Sequence, residues 1–258
     1  MGSNLKHCPG KVKRGFEIMW KFKSLAYLRF CIGVLLIPCG IALTRTVVAS
    51  IGASAALSLT GGARPFLMVA MGVAAAAFVF WALPAPVRLY VLAHELTHAL
   101  WGALLGARIS GLRVSGSGGY VKLSQSNWLI ALAPYFFPIY TFIVILAYYI
   151  LLIFFDLRPY ALVWLGLIGF TLGFHGVFTI YALAQDQQDV RDYGRVFSFG
   201  MIYLINMLGV CLVLLIVAPL TLPDLIQRLA GDQAVVWSVC GRALMAAGTW
   251  VWGRLSGT

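Results

Sequence analysis

About six apolar stretches, each near the twenty or so residues that cross a bilayer as a helix, follow one another along this chain. Short polar breaks separate them. A backbone in hydrocarbon has no water to bond, so stretches of this length satisfy their own N–H and C=O groups as helices. Hydrophobic residues make up 61% of the sequence and charged residues 10%, where a soluble domain carries about 25% charged. The sequence therefore predicts an all-α polytopic membrane protein with about six transmembrane helices. The expected spans are 25–48, with a kink at Pro38, then 65–83, 87–105, 128–155, 160–183 and 196–220. The fourth opens with Ala133-Pro134-Tyr135-Phe136-Phe137-Pro138, so it should be kinked or broken near that end.

The breaks differ in character. Residues 49–64 are rich in Ser, Gly and Ala and read as a loop. Residues 107–127 hold glycines between Leu112-Arg113-Val114 and Tyr120-Val121-Lys122. That pattern fits a small membrane-associated β-hairpin between the third and fourth helices, or an ordinary surface turn. The tail, 221–258, reads as an interfacial helix or as a short seventh span near 235–252. No internal repeat is present.

The net charge of +11 is concentrated at one end, with Lys6, Lys11, Lys13, Arg14, Lys21, Lys23 and Arg29 all near the N-terminus. This is a lipid-facing signal and not a nucleic-acid one. Residues 1–24 are expected to be a cytoplasmic segment held near anionic lipid, placing the protein in the plasma (inner) membrane. Phe16 to Phe22 could form a short amphipathic helix at the interface. The first apolar run is too long for a secretory signal peptide. Cys8, Cys31, Cys39, Cys211 and Cys240 are odd in number and irregularly spaced, so no disulfide framework follows.

Within the third apolar stretch, residues 94–98 read His-Glu-Leu-Thr-His. On a helix, His94 and His98 at i and i+4 share one face and can bind one metal ion. Glu95 projects about 100° round from His94, beside the metal's open position, where it can accept a proton from water. The chain has only four His and two Glu, and an ionisable residue inside a membrane is functional by default. Zn²⁺ is the metal expected at such a pair. A catalytic zinc needs a third protein ligand. The extended HExxHxxGxxH pattern fails at Trp101 and Leu104, and the other Glu, Glu17, lies in the basic N-terminal segment. Asp156, His175, Asp186, Asp189 and Asp192 remain as candidates, with Asp224 and Asp232 in the tail. His175 should sit at a depth similar to that of His98. The bland alternative for it is an interhelical hydrogen bond, and the same holds for Asn206.

HExxH in an apolar span, followed by Gly106-Ala107-Arg108-Ile109, by Gly118-Gly119-Tyr120-Val121 and by Leu129-Ile130-Ala131-Leu132-Ala133-Pro134, resembles the site-2 protease family of intramembrane zinc metalloproteases. The resemblance covers roughly residues 84–210. It implies that 25–220 is a membrane metallopeptidase-like domain acting on membrane-anchored proteins or transmembrane peptides. The family's third ligand is an Asp followed by Gly at the start of a later span. This chain has no Asp-Gly, and Gln188-Asp189-Val190-Arg191-Asp192-Tyr193-Gly194 is the nearest equivalent. By that resemblance the third ligand is Asp189. Glu95 would be the general base, passing the water's proton to the leaving amine. Extended substrate could pair with the hairpin edge. The same fold could instead serve as an inactive scaffold or regulator, which the missing Asp-Gly favours and the intact Glu95 opposes. A metal-containing transporter is the third alternative.

Overall fold

A computed structural model describes residues 9–59, 63–116 and 118–256. Helices dominate: α1 (Pro9–Leu59), α2 (Arg64–Ala82), α3 (Val87–Leu104), α4 (Trp128–Leu132), α5 (Ile139–Phe154), α6 (Ala161–Leu183), α7 (Gln188–Asp192), α8 (Arg195–Val217) and α9 (Leu222–Ser256). Strands β1 (Ile109–Ser115) and β2 (Gly118–Leu123) form one antiparallel hairpin between α3 and α4. The all-α membrane architecture with a small hairpin is as the composition and glycine pattern anticipate.

Five helices are long and apolar enough to cross a bilayer: α1 from Ser24 on, α2, α6 with the turn before it, α8 and α9. A sixth is possible where α4 and its following 3₁₀ turn (Ala133–Tyr135) join α5 across a 76° bend. Pro134 and Pro138 bracket that bend, since neither can donate the next helical hydrogen bond. The break expected in the fourth span is therefore present.

Membership of the set differs from expectation. The pentad helix α3 is not among the sufficiently apolar ones, because Arg88, His94, Glu95 and His98 dilute its 18 residues. The tail takes its place as a single 35-residue helix. Thr221 opens it with a reciprocal cap: Asp224 donates its N–H to Thr221 Oγ1, and Thr221 donates its own to Asp224 Oδ2. A second correction concerns 49–64. Helix α1 runs on to Leu59, so 49–59 are helix where a loop is expected. Ala favours helix, and the Ser54 and Ser58 hydroxyls donate to the carbonyls of Ser50 and Ser54 instead of competing for the chain. The same helix passes through Pro38 without ending. The amphipathic face expected over 16–22 concerns side chains outside the described residues, as does Cys8. The four described cysteines are free thiols.

Small residues bring the long helices together. A Cβ on Gly72 would lie 2.1 Å from the Gly166 carbonyl oxygen, and one on Gly169 would lie 2.1 Å from that of Val69. Helices α2 and α6 thus touch backbone to backbone, the packing that membranes favour where apolar burial gives no drive. Behind the pentad helix, Leu132, Tyr135, Ala182, Val190, Phe197 and Ile202 form a buried cluster. It ties α4, its turn, α6, α7 and α8 into one frame around the site.

Candidate metal centre

Helix α3 presents His94 and His98 from consecutive turns, with Nε2 atoms 3.2 Å apart. Helix α7 brings the Asp189 carboxylate to the same point. Its Oδ2 lies 3.5 Å from His94 Nε2 and 3.4 Å from His98 Nε2. Among the described residues this is the one group of three or more His, Cys, Asp or Glu side chains placed to hold a metal ion. A tetrahedral zinc with bonds of about 2.0–2.2 Å separates its ligand atoms by about 3.3–3.6 Å. The observed triangle, at 3.2, 3.4 and 3.5 Å, has two edges inside that range and the third just below it. The donor set, two imidazoles and a carboxylate with one position left over, suits a catalytic zinc.

Each of the three side chains is oriented by a neighbour. The Ile130 carbonyl lies 2.9 Å from His98 Nδ1 and fixes the proton there, leaving Nε2 a free lone pair. The Tyr90 hydroxyl lies 3.2 Å from His94 Nδ1 and can do the same for that ring. Tyr135 donates its hydroxyl to Asp189 Oδ2 at 3.3 Å, and its ring packs edge-on to His94. The Tyr135 turn is held in turn by Asn206, whose amide donates to the Tyr135 carbonyl at 2.8 Å. Val190 anchors α7 in the buried cluster, and the Ser198 hydroxyl donates to its carbonyl. Gly194, at φ 89, makes the turn from α7 into α8 that a side chain would strain. Burial alone would push the Asp189 carboxyl up. The contact of Oδ2 with the two rings, which act as donors to it whenever a proton sits on Nε2, outweighs that and holds it well below the usual carboxylate range. That direction suits a metal ligand, which has to be deprotonated.

Glu95 is buried on the adjoining face of α3, under the hairpin. A Cβ on Gly119 would lie 2.7 Å from Glu95 Cγ and 2.8 Å from Val91 Cγ1. Only glycine allows β2 to pass this close.

The other expected candidates lie elsewhere. Asp186 pairs with Arg191 and Arg195. Asp192 is exposed. Asp156 caps its own turn at Arg158. Asp224 caps α9, and Asp232 accepts from Arg45 and Thr46 of α1. His175 does not join the triangle. It lines a small cavity with Tyr90, His94, Thr97 and Phe174, on the face of α3 turned away from Glu95. Asn206 faces its ring, and Nε2 is buried without a hydrogen-bond partner. Asn206 thus joins α8 to the Tyr135 turn, the interhelical role anticipated for it.

Tyr90 and Tyr135 are the site residues that sequence reasoning did not single out. Tyr90 carried a signal, since it stands four residues before His94 on the same helix face. Tyr135 carried none beyond its place between two prolines.

Compared with family models, curated proteins and solved structures, the chain matches none.

Proposed function

We propose that this protein is an intramembrane zinc metalloendopeptidase that hydrolyses peptide bonds in membrane-anchored protein substrates. The observation that carries this reading is the triangle of His94, His98 and Asp189, with edges close to those of a tetrahedral zinc and Glu95 one residue along the same helix. When bound, zinc supplies a Lewis acid that activates water and polarises a carbonyl. His94, His98 and Asp189 hold it, each fixed from behind by a hydroxyl or carbonyl. Glu95 takes the proton of the attacking water and hands it to the departing amine, so its charge is the same before and after. The hairpin shields Glu95 on one side and offers an extended backbone edge for the substrate. The basic N-terminus supports a cytoplasmic position for that end and the plasma (inner) membrane as the protein's location.

The deciding experiment pairs metal analysis with proteolysis of a reconstituted transmembrane substrate panel. Wild type should carry one zinc per chain and cut at least one member. Glu95→Gln should keep the zinc and lose the cutting, since it preserves size and removes only the base. Cutting at the wild-type rate by Glu95→Gln, or full zinc in a His94→Ala/His98→Ala protein, would sink the reading.

A further inference from the structure

The hairpin has two unlike faces. In its register Leu112 faces Val121 and Val114 faces Gly119; on this side Gly119 and Leu123 lie against α3, while Leu112 stays exposed. Arg113 faces Tyr120 and Gly111 faces Lys122, and this side points outward. Arg113, Tyr120 and Lys122 are all exposed, with Lys122 Nζ 5.5 Å from the Tyr120 ring centre. The hairpin also runs the length of α3. Leu123 at its base packs on Gly102, and Gly116 at its tip lies against Arg88, a stretch of helix about 21 Å long. Gly119 sits beside Glu95, so the Arg113–Tyr120 pair is level with the proposed reaction centre.

Two facts make this face a receiving surface. First, its cations lack acid partners. Arg113 and Lys122 form no ion pair among the described residues, as is also true of arginines elsewhere such as Arg64 and Arg242; what sets the hairpin apart is the acid-free stretch of chain around it. The sequence holds no Asp or Glu from Leu96 to Phe155. Second, the face is open: Arg113, Tyr120 and Lys122 are exposed on a two-stranded hairpin with free edges, and an exposed cationic patch draws anions towards it. The Arg113–Tyr120 pair stands at the level of Gly119 and Glu95, where an extended chain entering the proposed site would pass.

We propose that the outward face of the hairpin, Arg113 with Tyr120 and Lys122, receives an acidic extended peptide and so selects substrates with Asp or Glu close to the bond that is cut. Naming the peptide as substrate rests on the peptidase reading. The charge preference itself does not.

The test uses the full-length protein in neutral detergent and three fluorescent peptides of equal length, rich in Glu, Gln or Lys. The Glu peptide should bind about fivefold to tenfold more tightly than the Gln peptide at low salt, and the difference should fade as salt rises. Arg113→Gln/Lys122→Gln should erase the preference, and Arg113→Glu/Lys122→Glu should turn it towards the Lys peptide. Equal binding of Glu and Gln peptides overturns the proposal. So does a preference that survives in both variants, which would assign it to the N-terminal cations. Co-purified anionic lipid that both variants lose, with no peptide preference in wild type, makes the face a headgroup site and overturns it as well. Zinc measured on the same samples separates the two claims. Zinc present without a charge preference removes only this proposal, and a charge preference without zinc removes only the peptidase reading.

Discussion

At the scale of single residues, the site is a set of short distances that converge from separate parts of the chain. Asp189 owes its place to Val190 beneath it and to Tyr135 beside it. Replacing it by Ala should therefore cost most of the zinc affinity, whereas Asp186→Ala, Asp192→Ala and His175→Ala should each leave the stoichiometry at one. Chelator competition on the purified variants measures this, and zinc lost from His175→Ala but kept by Asp189→Ala would exchange the two assignments. Tyr135→Phe keeps the ring against His94 and removes only the donor to Asp189. Loss of such an outer hydrogen bond typically weakens a metal site by about 10–100-fold. The same titration should find that drop, and an unchanged affinity would mean that Tyr135 only packs. The pentad was legible in the sequence because i, i+4 spacing fixes the geometry of two ligands within one helix. Asp189 was legible only through resemblance, since three carboxylates in seven residues look alike until arginines claim one of them and solvent another.

At the scale of elements, glycine decides what can lie against what. The hairpin reads from its turn residues, but not its seat on α3, which depends on a missing Cβ. Gly119→Ala would put a methyl group 2.7 Å from both Glu95 Cγ and the Arg113 carbonyl oxygen. Gly111→Ala meets only the far part of the Lys122 side chain, at 3.8 Å. The first should slow peptide cleavage by about 10–100-fold, because small displacements of a base cost that much. It should spare the zinc, whose ligands lie on another face. The second should be silent. Cleavage assays on the two variants, beside zinc analysis, distinguish a strand that positions Glu95 from one that merely covers it. The run 49–59 is helix and not loop for a related reason. Small polar residues resemble a loop by composition, yet their hydroxyls fold back onto the helix carbonyls four residues earlier and let α1 continue.

At the scale of the whole molecule, the chain separates into a frame that builds the site and a helix that lies beside it. The long apolar segments, and hence a membrane protein, were plain from hydropathy. Hydropathy did not show that the tail is one 35-residue helix docked on α1. Its anchors are Asp232 on Arg45 and Thr46, Gln233 on the Cys39 carbonyl, and Leu225 in a cluster with Leu43, Val47, Cys211 and Leu214. None of these residues holds or orients the metal triangle, whose supports come from α3, α4, α7, α8 and the Tyr135 turn. Most of the helix beyond Val236 is exposed. A chain ending at Leu220 should therefore insert, fold and bind one zinc with affinity close to the full-length protein's. It should lose stability, because the Leu225 contacts and the Asp232 hydrogen bonds go with the helix. Interhelical hydrogen bonds in membranes contribute about 0.5–2 kcal/mol each, so a lower unfolding temperature in detergent is expected. Metal analysis and thermal unfolding of the truncated protein test both halves. Loss of zinc from well-folded truncated chains would show that α9 reaches the site through α1 and α8, and the division between frame and flanking helix would have to be abandoned.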